Sequence, residues 1–325
     1  MLAIVVGIMN LFSGTLSAEE PEILSTRMIW DRAPHCAFTD LIDYKDTWYC
    51  VFREGECHVG GNSGIIRVLA CTDGETWKSV SVIEEKGVDL RDPKLSITPK
   101  GELMLLVGGV TKEKNRNTHV TFSVDGQEWT PLTKVLDNEW LWRVTWHNGK
   151  AYGVSYRVEK ESWPVTLFVT EDGIHYDKVK EFKIEGKPSE TTLRFTESGE
   201  MVALMRLGSF PFGATLIGTS QLPYTDWSWH NTKTSFGGSN FLILPNGQMW
   251  ASGRTMKFDE SDNLVERTTL AKMDLRSLTP VLDFPSGGED TSYPGMVYKD
   301  GILWVSYYSS HEEDNSAIYI TQIHL

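Results

Sequence analysis

A unit made of an apolar strand, a tight turn and a second apolar strand recurs six times along the chain of 325 residues. The copies read CAFTDLIDYKDTWYCVFRE, DPKLSITPKGELMLLVGG, RVTWHNGKAYGVSYR, ETTLRFTESGEMVALMR, SNFLILPNGQMWASGR and SYPGMVYKDGILWVSYYS. Apolar and polar residues alternate on both sides of each turn, as they do in half-buried strands. The turns fall at Asp46, Gly101, Gly149, Gly199, Gly247 and Gly301, at intervals of 55, 48, 50, 48 and 54 residues. A period of that size supplies four short strands per repeat, which is one blade of a propeller. No window sustains apolar residues at helical spacing between caps. The expected fold is all-β: a six-bladed β-propeller, with residues 19–325 as its single domain. Too little chain follows the sixth strand pair to complete a blade, so residues 22–31 are expected to pair there and close the ring.

A second device repeats in the first three units. Asp73–Gly74, Asp125–Gly126 and Asp172–Gly173 are each followed by an aromatic residue three positions after the glycine: Trp77, Trp129 or Tyr176. An aspartate can accept hydrogen bonds from its own turn while glycine takes the positive φ, and the aromatic side chain plugs the blade beneath. These positions belong to folding, not to chemistry.

Charge narrows the partners. Asp and Glu outnumber Lys and Arg by 44 to 31, a formal net charge of −13, so general nucleic-acid binding is excluded and an anionic ligand needs a local basic pocket. The twelve tryptophans and eleven tyrosines suit either sugar stacking or blade packing. Residues 2–12 are apolar and lead through small residues to Ala18, the pattern of a signal peptide over residues 1–18, too short to be a stable membrane span. A secreted or periplasmic protein is expected. Cys36, Cys50, Cys57 and Cys71 cluster in the first repeat, where one disulfide or buried free thiols are equally consistent with the spacing. No C-x-x-C pattern and no ligand cluster with metal spacing is visible, and no metal or cofactor is expected.

The D-G-x-x-W turns resemble the Asp-boxes of the sialidase (neuraminidase) superfamily, whose architecture is also a six-bladed propeller. The turns here are one residue shorter, and Cys71 stands where Ser or Thr is usual. The resemblance implies an arginine triad gripping a substrate carboxylate, a tyrosine nucleophile assisted by a glutamate, and an acid/base aspartate. Glu190 and Arg206, in ETTLRFTESGEMVALMR, are similar to the family's glutamate and second arginine. Tyr293, in DTSYPGMVYKDG, is similar to the nucleophile, with Tyr307 on the following strand. Arg267, in ERTTLAK, stands where a third arginine is expected. The family's R-I-P arginine has a counterpart in Arg32–Ala33–Pro34, although counting back from Asp46 puts His35 or Cys36 at that slot. FREGECHVGGNSG contains no aspartate, and Glu54, Glu56 and His58 are the available acids.

Arg91 and Asp92 open the second unit. With Arg53, Arg143, Arg157, Arg206 and Arg254, Arg91 forms a series of strand-end arginines consistent with a pocket for a sugar acid. Each of these arginines has an equally ready structural reading as an interblade ion pair. The resemblance implies a secreted exo-glycosidase acting on a carboxylate-bearing terminal sugar of a glycan, in which Tyr293 attacks, Glu190 takes its proton and Glu54 or His58 supplies acid/base help. A lyase or another acidic-sugar hydrolase on the same scaffold, and a non-catalytic glycan-binding propeller, are the alternatives.

Overall fold

The computed structural model describes residues 20–325 apart from 60–63, 209–212, 289 and 313–314; the expected signal peptide, residues 1–18, lies outside the described residues. Strand β1 spans Glu22–Trp30. Blade 1 is β2 (His35–Tyr44), β3 (Thr47–Gly55), β4 (Ile65–Cys71) and β5 (Lys78–Ile83). Blade 2 is β6 (Val88–Ile97), β7 (Leu103–Thr111), β8 (Arg116–Ser123) and β9 (Thr133–Leu136). Blade 3 is β10 (Trp140–His147), β11 (Lys150–Tyr156), β12 (Val165–Thr170) and β13 (Asp177–Phe182). Blade 4 is β14 (Lys187–Phe195), β15 (Met201–Gly208), β16 (Ala214–Ser220) and β17 (Ser228–Asn231). Blade 5 is β18 (Gly237–Ile243), β19 (Met249–Phe258), β20 (Leu264–Met273) and β21 (Leu278–Asp283). Blade 6 is β22 (Thr291–Lys299), β23 (Ile302–Ser309) and β24 (Ala317–His324), with β1 as its outermost strand. The ring closes as the sequence predicts: β1 runs antiparallel to β24 from Glu22 opposite His324 to Trp30 opposite Ile318. Among the described residues no helix is long and apolar enough to cross a membrane.

Burial follows strand position. The second strands are packed on both faces by neighbouring blades, so β3 and β7 are buried along almost their whole length and read as near-continuous apolar runs. The outer strands β5, β13 and β21 keep mostly exposed or half-buried residues. Each fully buried Leu105, Val107 or Phe52 stabilises the fold by roughly 1.5–3 kcal/mol.

The Asp–Gly turns hold as read. One carboxylate oxygen of Asp73 accepts from the Glu75 and Thr76 amides at 2.9 and 2.7 Å. Asp125 and Asp172 repeat the arrangement two and three residues downstream. The glycine has a second reason beyond its φ of 73° at Gly126: a Cβ there would lie 2.2 Å from the Tyr49 ring, so the turn of blade 2 docks directly on the second strand of blade 1. Blade 5 carries an unforeseen copy. Asp274 accepts from the Arg276 and Ser277 amides, both at 2.7 Å, and buried Leu278 is the plug.

The inner strand of every blade is interrupted at the same level. The register shifts between Ala37 and Asp40, Arg91 and Lys94, Leu141 and Val144, Ser189 and Thr191, Gly237 and Asn240, and Ser292 and Gly295. These are β-bulges, which re-aim side chains. Below them a polar plug fills the axis. Arg143 grips Asp40 with two bonds of 2.8 and 3.1 Å, the Leu95 amide adds a third at 2.8 Å, and Lys94 reaches the Thr39 carbonyl at 3.2 Å. Thr39 and Asn240 in turn donate to the carbonyls of Tyr293 and Pro294, which fixes the bulge of blade 6.

All four cysteines are free thiols; Cys36, Cys50 and Cys71 are buried and Cys57 is exposed. Burial pushes the Cys36 thiol up to about 12.

Candidate active site

The bulges build the site. Phe38, Asp92, Trp142, Glu190, Gly238 and Tyr293 occupy the bulged level of the six inner strands in turn. Phe38, Asp92, Glu190 and Tyr293 hold positive φ values of 62, 51, 20 and 53°. Left-handed backbone in bulky residues costs of order 1–3 kcal/mol each and clusters at functional sites. It turns these side chains onto one another across the axis. Tyr293 lies at the centre, with ring centroids 5.2 Å from Phe38 and 5.7 Å from Trp142. A Cβ at Gly238 would sit 2.5 Å from the Tyr293 ring, so only glycine permits that approach.

Glu190 joins the polar groups. Its Oε1 accepts from the Tyr293 hydroxyl at 2.8 Å and from Arg206 Nη1 at 2.7 Å, and its Oε2 accepts the Gly238 amide at 2.8 Å. Burial pushes the carboxyl up, but the Arg206 charge and these hydrogen bonds outweigh it and hold Glu190 below the usual glutamate value. Tyr293 moves the other way, raised by burial and by the Glu190 charge. The pair is therefore a neutral phenol donating to an ionised carboxylate. The Arg254 guanidinium lies 5.5 Å above the Tyr293 ring.

Asp92 is the second carboxylate at this level. It is half-buried, its Oδ2 accepts from Trp140 Nε1 at 3.1 Å, and its Oδ1 is buried without a partner. Burial pushes its carboxyl up to about 6, with the Glu190 charge adding to the rise while Lys94, Arg91 and His58 oppose it. Two carboxyl groups whose affinities for protons are driven apart are the usual arrangement for acid/base work.

Two cavities of about 570 Å³ flank this centre. One is lined by Glu190, Arg206, Arg116, Lys187 and the stacked rings of Tyr156 and Trp163, which lie 5.8 Å apart at 6°. The other is lined by His35, His58, Glu56, Arg254 and Asp290. There His35 Nε2 meets Asp290 Oδ2 at 3.1 Å, His58 Nδ1 contacts the same oxygen, and Tyr308 and Arg254 donate to Asp290 Oδ1 at 2.7 and 3.2 Å.

Several residues singled out in the sequence lie elsewhere. Glu54 is occupied by Trp30 Nε1 and Arg67 Nη2, both at 2.6 Å, and has no oxygen free for acid catalysis. Arg267 donates to the carbonyl of its neighbour Glu266 instead of joining Tyr293; Arg254, one strand inward, takes that place. Tyr307 ties β23 to the Pro285 carbonyl at 2.7 Å, a link between blades 5 and 6. The arginine series is largely structural: Arg53 and Arg91 share Asp89, Arg143 holds Asp40, and Arg157 holds Glu139 and Glu159. Phe38, not His35 or Cys36, occupies the bulged level of β2. Asp290 and Tyr308 carried no signal in the sequence beyond their place near strand ends, and Asp40, in the middle of β2, carried none.

The chain matches no protein-family model and no curated protein sequence. Solved structures are similar in fold. A protein of unknown function from Dyadobacter fermentans superposes with a TM-score of 0.80 at 17% identity, covering 94% of this chain and 99% of that one. The GH93 α-L-arabinofuranosidase of Fusarium graminearum, solved with arabinobiose, gives 0.70 at 15% identity over 92% and 97% of the two chains. The sialidase of Trypanosoma rangeli gives 0.68 at 13% identity, covering 89% of this chain and 55% of that longer one. The fold of this chain is the sialidase-like six-bladed propeller.

Proposed function

We propose that the protein is an exo-acting glycoside hydrolase whose nucleophile is Tyr293. The observation that carries the reading is the 2.8 Å hydrogen bond from the Tyr293 hydroxyl to Glu190, beside Arg206 and a cavity of about 570 Å³. Tyr293 attacks the anomeric carbon and passes its proton to Glu190, while the glycosidic oxygen leaves with a proton from Asp92. In the second step water attacks the tyrosyl-linked sugar, gives its proton to Asp92, and the departing phenolate recovers its proton from Glu190. Asp92 replaces Glu54 in the acid role because it is unpaired at Oδ1 and burial raises its carboxyl to about 6, so that it keeps its proton in mildly acidic solution. A neutral phenol avoids repulsion from an anionic sugar, a chemistry known among glycosidases for sialidases. Arg206 and Arg254 flank the phenol and suit a carboxylate-bearing terminal sugar.

A second reading rests on a specific observation: both arginines already face acids, Arg206 with Glu190 and Arg254 with Glu266 and Asp290. Charge balance of that kind suits a neutral terminal sugar. Fluorogenic α-sialoside and α-L-arabinofuranoside substrates separate the two readings, with Tyr293→Phe and Glu190→Gln as controls. Turnover of the sialoside that disappears in both variants supports the acidic-sugar reading, and turnover of the arabinofuranoside alone supports the neutral one. Turnover unchanged in Tyr293→Phe, or none on any glycoside of a broad panel, overturns the hydrolase.

A further inference from the structure

The second cavity contains a ligand set the hydrolase reading does not use. His35 stands at the start of β2, His58 follows β3, and Asp290 precedes β22, so the three meet only because blade 6 closes against blade 1. Their three ligand atoms lie within 4.8 Å of one another, and the His35 Nε2 to Asp290 Oδ2 separation is 3.1 Å. Ligands bound at about 2.1 Å in a tetrahedral zinc site stand about 3.4 Å apart. The 3.1 Å separation is close to that value, and the whole set lies within a span that one ion can bridge.

We propose that His35, His58 and Asp290 bind a divalent transition-metal ion of the zinc class. Two imidazole nitrogens and one carboxylate oxygen are a donor set suited to such ions and poorly suited to calcium or magnesium, which prefer all-oxygen shells. Three protein ligands on the wall of an open cavity leave the remaining coordination positions to water or to a ligand oxygen, the pattern of a reactive rather than a purely structural site. The carboxylate is aimed from outside the ligand set: Tyr308 and Arg254 donate to Oδ1, which turns Oδ2 toward both histidines. His35 is anchored through its own strand, where the Cys36 amide bonds to the Ser316 carbonyl at 3.1 Å. The site adjoins the proposed nucleophile without including it. Phe38 lies between them, 5.0 Å from the His58 ring and 5.2 Å from the Tyr293 ring. The ligand that completes the site is an oxygen donor: water or, resting on the hydrolase reading, a sugar hydroxyl or carboxylate.

The test uses the full folded chain, stripped with a chelator and titrated with cobalt(II) and zinc(II). One ion per chain is expected, with cobalt giving the intense visible absorption of a site with fewer than six ligands and zinc displacing it. His58→Gln, at a half-exposed side chain, and Asp290→Asn are each expected to weaken zinc binding at least about 100-fold, whereas removing the exposed His175 leaves it unchanged. Anomalous scattering at the zinc edge from wild-type crystals locates the ion without any variant. Absence of saturable binding by wild type, unchanged affinity in folded His58→Gln, or an ion located elsewhere overturns the proposal. None of these outcomes depends on whether the chain hydrolyses a glycoside.

Discussion

Two buried acid–arginine pairs occupy the axis of this propeller, and they differ in what completes them. Asp40 and Arg143 reach from blade 1 to blade 3, and the chain satisfies both carboxylate oxygens, through the two guanidinium bonds and the Leu95 amide. Glu190 and Arg206 lie on adjacent strands of blade 4, and the Gly238 amide takes Oε2, but Oε1 is completed by a tyrosine hydroxyl and the arginine side chain remains 32% exposed to a cavity, against 6% for Arg143. The same chemistry is closed in one place and open in the other. A closed pair holds blades together, and an open pair can exchange a proton with something that enters.

Breaking the open pair should remove activity and leave the fold. Glu190→Gln and Tyr293→Phe are each expected to lower kcat/KM about 1000-fold or more, equivalent to about 4 kcal/mol of barrier. Tyr293→Phe deletes one hydroxyl and should change stability by only about 1–2 kcal/mol. Breaking the closed pair should do the reverse. Asp40→Ala strands the Arg143 charge in the plug and is expected to cost about 3–5 kcal/mol of stability in urea titrations. A loss below about 1 kcal/mol there would show that water already reaches the plug, and the contrast would collapse.

The contrast also explains what the sequence could reveal. Tyr293, Glu190 and Arg206 are legible because each stands at a strand end in a copy of the repeat, and the repeat fixes which strand ends share the axis. Arg267 misleads because its strand is recognisable but its neighbours across the sheet are not: Arg254, opposite Thr268 on β19, is the guanidinium that reaches Tyr293. Phe38 is missed because the first hairpin turns on Lys45 and Asp46 alone, while β6 and β7 are joined by five residues, so counting from the turn shifts the slot. Asp290 meets His35 and His58 across 255 and 232 residues of chain, and no spacing announces a cluster made by ring closure.

The open site can be sharpened through Asp92. For the proposed acid role Asp92 must be protonated and Glu190 ionised. Activity should therefore rise as pH climbs through the depressed Glu190 value and fall as pH passes about 6, where Asp92 ionises. Burial sets this limb first; Glu190 raises it further, Lys94, Arg91 and His58 oppose the rise, and the Trp140 indole donates a hydrogen bond to the carboxylate. Asp92→Asn cannot supply a proton, so its rate should drop about 100-fold and lose the alkaline limb. Retention of that limb in the variant assigns the acid to another group.

The smallest expected effect is at Glu54, and it separates a site residue from a structural one. Both oxygens are taken, by the Trp30 indole of the closing strand β1 and by Arg67 of β4, each at 2.6 Å. Arg67 also lies 5.1 Å from the Trp30 ring, so the glutamate, the guanidinium and the indole form one clasp between the ring-closing strand and blade 1. Glu54→Gln keeps the size of the side chain and can still accept from Trp30, but it gives up the charge opposite Arg67. The expected outcome is a stability loss of about 1–2 kcal/mol with kcat/KM within about twofold of wild type. Thermal denaturation and glycoside turnover on the same preparation decide it. An activity loss approaching that of Asp92→Asn would return Glu54 to the catalytic site and move the acid from blade 2 to blade 1.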